Sequence, residues 1–387
     1  MSTTSFADLG LAAPIVDALA ERGITDAFPI QAMSIPDAIT GRDICGKAKT
    51  GSGKTLAFGL PVLHLLEKAE PTRPKALALV PTRELAVQVH DELAPIAKGL
   101  DRTVLAIYGG ANIETQIDKL GQGVDFVVAT PGRLIDLIER GEVTLDAVAH
   151  VIVDEADRMA DMGFMPQVEW VLRHIDSDHQ TLLFSATLDG VVDRLISRYQ
   201  HEPARFEVES DSSTVDSMAH RFLLVHEMDR AKVVAAIARS ANRTLVFSRT
   251  KHGADRLARQ VEDYGVAAAA IHGDLRQKSR EKALRMFADG ELDLLVATDV
   301  AARGIHVDHL DVVVHYQPAS DHKSYLHRSG RTARAGQSGV AVTLSLWNEE
   351  LEVKRLQKRL GLEQPIVEMF SNDERLSDLG GWDPTQD

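Results

Sequence analysis

The 387-residue sequence has one cysteine, no long apolar run and no excess of positive charge. A single cysteine, Cys45, excludes an intramolecular disulfide and a zinc site built from several cysteines, and it suits a reducing compartment. It lies in the apolar run DICGK, which favours a small buried residue over a reactive thiol. The sequence also lacks a targeting signal and a segment able to cross a bilayer. We therefore expect a cytoplasmic protein without a membrane partner.

Basic side chains are outnumbered, 43 against 57 acidic ones, and the formal net charge is −14. A global positive field, the usual mark of nucleic-acid binders, is therefore absent. Any nucleic-acid binding must depend on local donors such as loop arginines, backbone N–H groups and helix N-termini. The composition, 44% hydrophobic and 26% charged, is typical of a soluble globular protein, and the length favours two domains.

Short apolar runs, each followed by a helical stretch, recur in both halves of the chain. The runs span residues 76–81, 103–110, 125–131, 150–157, 181–187, 244–248, 267–273, 293–299, 312–316 and 339–345. Continuous apolar strands that alternate with amphipathic helices predict an α/β fold, with parallel sheets covered on both faces. Between the halves, the acidic and serine-rich segment 207–220 is typical of a linker. Ligands of such sheets bind where the strands end, and the motifs below fall there.

The segment AKTGSGKT, residues 48–55, follows a strand-like run and precedes a helical one. Gly51 and Gly53 let backbone N–H groups wrap a phosphate, and Lys54 adds a positive charge. Thr55 offers a hydroxyl to Mg²⁺. The pattern normally opens with glycine, and Ala48 takes that place. The loop predicts binding of a nucleoside triphosphate through Thr50, Gly51, Ser52, Gly53, Lys54 and Thr55.

The run VIVDEAD, residues 151–157, ends an apolar strand with the adjacent carboxylates Asp154 and Glu155. One carboxylate can hold Mg²⁺ through water while the next orients an attacking water molecule. Alone, two acids at a strand end are as often a solvated turn. In the same domain as a phosphate loop, they favour hydrolysis of the bound triphosphate.

A third motif, HRSGRTARAG at residues 327–336, carries Arg328, Arg331 and Arg334 at intervals of three. On a helix, residues three apart share a face, so the motif would align several positive charges. A solvated helix face is the alternative to an anion-binding row.

The DEAD run, together with the phosphate loop and HRSGRTARAG, resembles the DEAD-box family of ATP-dependent RNA helicases, and the compact bacterial RhlE-like members in particular. The motifs follow the family's order from Phe6 to about residue 370. The resemblance implies two tandem RecA-like domains, each a mainly parallel sheet flanked by helices. It implies an adenine-reading segment at 1–33, an ATP-binding domain at 34–207, a linker at 208–219, a second RecA-like domain at 220–370 and a frayed tail at 371–387.

The family's roles carry over onto matching positions of this sequence. GITDAFPIQ at 23–31 is similar to the adenine-reading motif, with Gln31 on the adenine edge and Phe6 as its isolated upstream aromatic. Ile24 departs from the family's usual aromatic residue, and Ala-Phe at 27–28 replaces Pro-Thr. The implied catalytic residues are Lys54, Asp154, Glu155, Arg331 and Arg334, with Mg²⁺ held at Thr55 and Asp154, partly through water. The implied coupling between domains involves Asp157, Ser185, Thr187, His327 and Arg328.

Segments 81–86, 109–110, 130–133, 247–250, 277–280 and 297–304 are similar to the family's RNA-contacting segments. The implied RNA-binding residues are Arg83, Gly110, Thr130, Arg133, Thr250, Arg280 and Thr298. Contacts to phosphate and 2′-OH groups would make binding largely independent of sequence, modest in affinity and sensitive to salt. His306 stands where the family usually has aspartate, with Asp308 two residues later. A metal site at HVDH is disfavoured because no second ligand cluster accompanies it.

The resemblance thus implies a monomeric ATP-dependent RNA helicase that uses ATP and Mg²⁺, closes a cleft between its domains and locally unwinds short RNA duplexes. Two alternatives stay open from the sequence, and a third is more distant. An RNA-stimulated ATPase that acts as a clamp or scaffold would carry identical motifs. A helicase directed at DNA is disfavoured by the Gln31 motif and by the DEAD run, and a small-molecule kinase would leave the arginine row without a purpose.

Overall fold

The structure is a computed structural model, and it describes residues 4–48, 51–188, 190–208, 218–302, 310–332 and 339–386. The chain divides into two compact units, Met1–Ser210 and Asp211–Asp387, which are called unit 1 and unit 2. The boundary falls inside the segment 208–219 that the sequence marks as a linker. No helix in the described ranges has the length and apolar character needed to cross a membrane.

Unit 1 contains a seven-stranded, fully parallel sheet with the spatial order β5-β6-β4-β7-β8-β3-β9. Its strands are β3 (Ile44–Lys47), β4 (Ala76–Leu79), β5 (Val104–Ile107), β6 (Phe126–Ala129), β7 (His150–Asp154), β8 (Gln180–Ser185) and β9 (Ala204–Glu207). A separate antiparallel ribbon pairs β1 (Thr4–Ser5) with β2 (Asp26–Ala27).

Nine α-helices accompany this sheet in the described part of unit 1. They are α1 (Ala13–Glu21), α2 (Pro29–Ala38), α3 (Lys54–Leu65), α4 (Arg83–Gly99), α5 (Ile113–Leu120), α6 (Pro131–Glu139), α7 (Ala156–Asp161), α8 (Met165–Leu172) and α9 (Val191–Tyr199), with a 3-10 turn at Phe6–Leu9.

Both faces of the unit 1 sheet are buried, as the continuous apolar strands predict. In β4, Ala76 and Ala78 pack into one core while Leu77 and Leu79 pack into the other. Successive side chains of the strand thus point to opposite faces of the sheet and contribute to two apolar layers. Cys45 is fully buried in the second layer, which confirms the expectation that it is a core residue.

Several helices begin in the loop that follows a strand. A short polar side chain caps the first turn of these helices and so fixes where each one starts. The Thr82 hydroxyl accepts a hydrogen bond from the Leu85 N–H at 3.2 Å and so starts α4. The Asn112 side-chain oxygen Oδ1 accepts a hydrogen bond from the Glu114 N–H at 2.9 Å at the start of α5. Such caps satisfy backbone donors that the helix itself leaves free, and they fix where each loop ends.

Unit 2 repeats this architecture with the parallel strand order β12-β13-β11-β14-β15-β10-β16. Its strands are β10 (Met218–Leu224), β11 (Thr244–Phe247), β12 (Ala268–Ile271), β13 (Leu294–Ala297), β14 (Val312–His315), β15 (Gly339–Ser345) and β16 (Ile366–Glu368). Its helices are α10 (Arg230–Ser240), α11 (Lys251–Asp263), α12 (Gln277–Ala288), α13 (Asp299–Ala302), α14 (His322–Ser329) and α15 (Glu350–Leu360), with 3-10 turns at Glu374–Ser377 and Pro384–Gln386.

The predicted linker is too long at its carboxyl end. Met218 and Ala219 already belong to β10, where they pair with Gly339 and Val340 of β15. The average composition of residues 207–220 is polar and acidic, and it hides the apolar strand that begins within that segment. Strand β10 lies between β15 and β16, so it is an interior strand of the sheet.

The expectation that residues 371–387 fray is wrong for the described residues up to 386. Leu376 and Leu379 are buried, and both belong to the apolar core on the α10 side of the sheet. Arg221 Nε donates to the Leu379 carbonyl at 2.8 Å. The Trp382 ring packs against two guanidinium groups, with Arg221 Cζ at 5.6 Å and Arg375 Cζ at 5.3 Å from the ring centroid. Contacts with distant residues therefore hold a segment that has no periodicity of its own.

Trp382→Ala should lower the free energy of unfolding of unit 2 by about 1–3 kcal/mol, since it removes a half-buried ring and two cation–π contacts. Urea denaturation followed by circular dichroism measures the change. Trp347→Ala is the matched control, because Trp347 is 82% exposed and its removal should cost within about 0.5 kcal/mol. Equal stability of the two variants would contradict the packing role of the tail.

Candidate active site

The phosphate loop connects β3 to α3 at the carboxyl edge of the unit 1 sheet. Gly51 and Gly53 adopt left-handed backbone conformations, with φ of 86° and 84°. Lys54 is the first residue of α3, and its Nζ donates to the Ala48 carbonyl at 3.1 Å. The ammonium group is thus held inside the loop rather than free in solvent. Thr50, which the sequence assigns to the nucleotide, lies outside the described residues.

Gln31 connects the predicted adenine-reading segment to this loop. Its Nε2 donates to the Gly53 carbonyl at 2.8 Å, and its Oε1 accepts the Phe28 N–H at 2.8 Å. Both ends of the amide are therefore engaged within the chain, and the predicted contact with adenine stays a prediction. Phe6 is buried in the core, so its ring faces no open site, whereas Phe28 is 57% exposed beside the loop.

The two carboxylates of the DEAD run follow β7 and are both buried. Burial raises the pKa of Asp154 to about 6, and the nearby Lys54 ammonium, with Nζ 3.8 Å from Oδ1, acts in the opposite direction. Glu155 has a φ of 53° and forms an ion pair with Arg158. A left-handed conformation at a residue with a side chain costs about 1–3 kcal/mol and is concentrated at functional sites.

Ser185 joins the acidic run to the phosphate loop within unit 1. Strand β8 lies between β7 and β3, and Ser185 is its last residue. Its hydroxyl accepts the Asp157 N–H at 3.2 Å, and its carbonyl accepts the Ala48 N–H at 2.9 Å. Thr187, two residues later, is half-buried. The structure thus brings Ser185 and Asp157 together, and their predicted role in coupling stays a prediction.

The side chains present fit a Mg²⁺ ion that is held by one or two protein oxygens and by phosphate groups. Asp154 supplies a buried carboxylate at the loop. Thr55 supplies a hydroxyl, whose hydrogen bond to Glu92 opposes the rise in pKa that burial causes for that carboxyl. Across the described ranges, no group of three or more His, Cys, Asp or Glu side chains could hold a metal by itself.

Four predicted RNA-binding residues of unit 1 lie where β4, β5 and β6, three neighbouring strands, end. Arg83 begins α4, and its guanidinium lies against the Gly109–Gly110 backbone, so that a Cβ built on Gly110 would stand 2.2 Å from Nη1. Arg133 of α6 donates to the Ala111 carbonyl at 3.4 Å, and Thr130 precedes the same helix. The structure thus brings these donors to one edge.

In unit 2, Thr250 and Thr298 follow the adjacent strands β11 and β13. The Thr250 hydroxyl accepts the Gly253 N–H at 3.0 Å and caps α11. Thr298 is buried, and its N–H donates to the Ile271 carbonyl of β12 at 3.3 Å. Arg280 lies on α12, in the next connection. The three predicted contacts therefore belong to one edge of this sheet as well.

The arginine row is not a single helical face. Helix α14 ends at Ser329, where Gly330 terminates it, so Arg331 lies beyond the helix that carries His327 and Arg328. Arg328 is buried and donates to both carboxylate oxygens of Asp299, at 2.6 and 2.7 Å. Arg331 is also buried. The remaining positions of interest, Arg334, His306 and Asp308, lie outside the described residues.

Comparison with known proteins decides the family. Residues 28–195 match the family model described as DEAD/DEAH box helicase, and residues 228–336 match the helicase conserved C-terminal domain. The DEAD-box ATP-dependent RNA helicase CshA of Bacillus subtilis is 40% identical over 360 residues, which cover 92% of this chain and 72% of that protein. This chain belongs to the DEAD/DEAH box helicase family.

The chain is also similar to other members of the DEAD/DEAH box helicase family. The ATP-dependent RNA helicase CshA of Listeria monocytogenes is 40% identical over 342 residues, which cover 88% of this chain and 66% of that protein. The solved structure of S. cerevisiae Dbp5 bound to RNA and ADP BeF3 matches 97% of this chain and 98% of its own, with a TM-score of 0.81 and 26% identity. Units 1 and 2 are therefore tandem RecA-like domains. The finer resemblance to RhlE-like members stays a prediction.

The structure adds buried residues that position helix α14 and that the family motifs alone do not reveal. Tyr325 of α14 stacks on His315, with ring centroids 4.6 Å apart, and its hydroxyl lies 2.7 Å from His220 Nδ1. His315 Nε2 lies 3.1 Å from the Ser329 hydroxyl, and burial holds the pKa of His315 well below its usual range. This buried column fixes the helix that carries Arg328. A histidine that ends the apolar run VVVH is the signal that sequence inspection could have used.

Gly53→Ala should weaken ATP binding at least tenfold and lower the free energy of unfolding by about 1–2 kcal/mol. An added Cβ would stand 2.4 Å from Gln31 Nε2 and 2.7 Å from Phe28 Cδ2, at a φ of 84°. Titration with a fluorescent ATP analogue and urea denaturation measure the two effects. Gly41→Ala is the control, because Gly41 has a φ of 85° with nothing within 4 Å of the added Cβ. Wild-type affinity in Gly53→Ala would show that the contact with Gln31 is unimportant.

Proposed function

We propose that this chain is an RNA-stimulated ATPase that locally unwinds short RNA duplexes or remodels RNA–protein complexes. The carrying observation is the convergence of Lys54, Asp154 and Glu155 at one sheet edge of unit 1. Arg83, Thr130 and Arg133, which the family resemblance assigns to RNA binding, lie along the same edge. The two CshA relatives named above extend beyond the matched region, which covers 66% and 72% of their length.

The position and burial of Lys54, Asp154 and Glu155 determine the role that each side chain has at the nucleotide. Lys54 neutralises charge on the phosphates, and the loop amides around Gly51 and Gly53 bind phosphate oxygens. Asp154, together with Thr55, would hold a Mg²⁺ ion, and the ion would supply positive charge to the β and γ phosphates. Glu155 orients the attacking water molecule. Its carboxylate is buried and forms an ion pair with Arg158.

RNA binding is assigned to the loop donors of both units. Arg83 and Arg133 in unit 1, with Arg280 in unit 2, supply positive charge next to loop N–H groups. These donors suit phosphate and 2′-OH groups, which are present in every sequence, so we expect little sequence preference. The net charge of −14 supports a modest and salt-sensitive affinity. We further propose that the protein acts as a cytoplasmic monomer.

Two assays on the full chain, ATP hydrolysis and displacement of an RNA strand, test this function. The rate of ATP hydrolysis is measured without nucleic acid, with single-stranded RNA and with single-stranded DNA of equal length. We expect RNA to raise the rate and DNA to leave it unchanged. Displacement of a short RNA strand then separates an unwinding enzyme from an ATPase that acts as a clamp or scaffold. Absence of stimulation by RNA would refute the proposal.

Glu155→Gln should lower RNA-stimulated ATP hydrolysis at least a hundredfold, since the amide keeps the shape of the side chain and loses its basicity. The Kd for ATP should stay within about threefold, because phosphate binding belongs to the loop. Steady-state kinetics measure the RNA-stimulated hydrolysis rate, and titration with ATP measures the Kd. The control Glu139→Gln changes an exposed carboxylate at the end of α6 and should leave both unchanged. Near-native turnover in Glu155→Gln would refute the role of Glu155.

Arg331→Ala should reduce RNA-stimulated hydrolysis by up to about 10³-fold with little change in ATP binding, as for an arginine finger that stabilises the transition state. Hydrolysis rate against RNA concentration measures the effect. Because Arg331 is buried, thermal denaturation of the variant shows whether its loss unfolds unit 2. Arg259→Ala, on the exposed side of α11, is the control. A folded Arg331→Ala protein that retains RNA stimulation would contradict the assignment.

A further inference from the structure

Phe28 is a large apolar side chain that unit 1 leaves exposed beside the phosphate loop. It is 57% exposed, whereas Phe6, the other aromatic residue of the segment 1–33, is buried in the core. Phe28 is also one of the positions at which the sequence departs from the family's adenine-reading motif. A single exposed apolar side chain is normal on a protein surface, so exposure by itself assigns no role to this ring.

The start of α2 favours a different residue type at position 28. Phe28 is the N-cap of this helix, and its side chain accepts no capping hydrogen bond. Gln31 Oε1 accepts the Phe28 N–H at 2.8 Å, which is one half of a capping box. The other half needs a side-chain oxygen at the N-cap, and a phenyl ring has none. Phenylalanine therefore costs helix stability here, and residues that break a local rule in this way are expected at functional sites.

The surroundings of Phe28 hold its ring against the phosphate loop. Pro29 restricts the preceding residue to an extended conformation, and Phe28 has φ of −66° and ψ of 157°. A Cβ built on Gly53 would stand 2.7 Å from Phe28 Cδ2, so the ring lies directly against the loop backbone. Gln31 fastens the same place, because its Nε2 donates to the Gly53 carbonyl at 2.8 Å. A group positioned in advance loses little conformational entropy when it contacts a ligand.

The position of the ring suits the base of a nucleotide whose phosphates occupy the loop. Gly53 directly precedes Lys54, and in a nucleoside triphosphate one ribose separates the base from the phosphates. Ile24, where the family usually has an aromatic residue, has no flat face and packs against the core. Phe28 is thus the exposed aromatic ring of this segment. Stacking of a base on an aromatic side chain typically raises affinity by about fivefold to hundredfold.

The predicted RNA contacts of unit 1 lie farther along the same sheet edge. The phosphate loop follows β3, whereas the RNA contacts follow β4, β5 and β6. Strands β7 and β8 lie between β3 and β4, so three strand spacings, roughly 14 Å, separate the loop from the nearest of these contacts. The base of a bound nucleotide is therefore a better candidate than an RNA base for contact with Phe28.

We propose that Phe28 stacks on the base of the bound nucleotide and supplies the flat aromatic face that Ile24 does not provide. This role rests on the proposed use of ATP by the chain, and it adds a residue that sets affinity for the base. Stacking uses the face of a base, whereas hydrogen bonds read its edge. Phe28 therefore contributes equally to the binding of ATP and GTP, and discrimination between them is left to groups such as Gln31.

The test titrates the full chain, in a buffer with Mg²⁺, with ATP, GTP and inorganic tripolyphosphate, which has phosphates but no base. Phe28→Thr should weaken the binding of ATP and of GTP about tenfold each and leave the affinity for tripolyphosphate within twofold. The same change should raise the midpoint of urea unfolding, because threonine can cap α2. A purely structural role of the ring would instead lower that midpoint.

A second variant reports the contact directly. Phe28→Trp keeps an aromatic face and should keep the Kd for ATP within about threefold of the wild type. Fluorescence of the new indole should be quenched by ADP and not by tripolyphosphate, with the wild-type chain and its Trp170, Trp347 and Trp382 as the baseline. Phe370→Thr is the matched control, because it removes a 49% exposed ring from unit 2 and should leave ATP binding unchanged.

Three results would overturn the proposal. One is wild-type affinity for ATP in Phe28→Thr, or no quenching by ADP in Phe28→Trp. Another is an equal loss of affinity for ATP and tripolyphosphate in Phe28→Thr, which would indicate a distorted loop. The third is a weaker Kd for single-stranded RNA with unchanged ATP binding, which would assign the ring to RNA. A wild-type chain without ATP binding or RNA stimulation would refute the proposed function itself.

Discussion

Parallel pairing of the strands is the constraint on which both units depend. Parallel strands require a crossover after every strand, and the helices of these crossovers bury both faces of the sheet. The loops at the two ends of the strands are consequently where the sheet gives way to solvent-accessible polar residues. Because all strands of a sheet end on the same edge, Lys54, Asp154 and Ser185 meet there although they are far apart in sequence. The candidate site is thus a direct product of the sheet topology.

Burial of charge gives this edge its chemical character. Lys54, Asp154, Glu155 and Arg158 are all largely removed from solvent, and each lies close to a group of opposite charge. Breaking one such buried pair by removal of a partner typically costs about 3–5 kcal/mol, since the remaining charge is left without compensation. The same low-dielectric surroundings strengthen interactions with a bound phosphate. Stability and chemistry therefore depend on the same few side chains.

Much of the fold, and the positions of the motifs at strand ends, could be predicted from the sequence, because the pattern of apolar residues indicates which segments are buried. All ten predicted runs contain strands, and the phosphate loop and acidic run lie at strand ends. Long-range partners could not be predicted in this way. The sequence does not reveal that Arg328 pairs with Asp299, or that Trp382 packs against Arg221. The end of α14 could have been anticipated from Gly330, a residue type that commonly follows a helix.

The isolation of Cys45 has a practical consequence for observing this protein in motion. Its side chain is fully buried, and burial also raises the pKa of its thiol, so the nucleophilic thiolate is scarce. A maleimide dye will therefore react with a cysteine introduced on the surface and leave the native one untouched. Positions 139 and 291 are exposed, one in each unit. Labels there would let energy transfer follow the distance between the units in an otherwise unaltered chain.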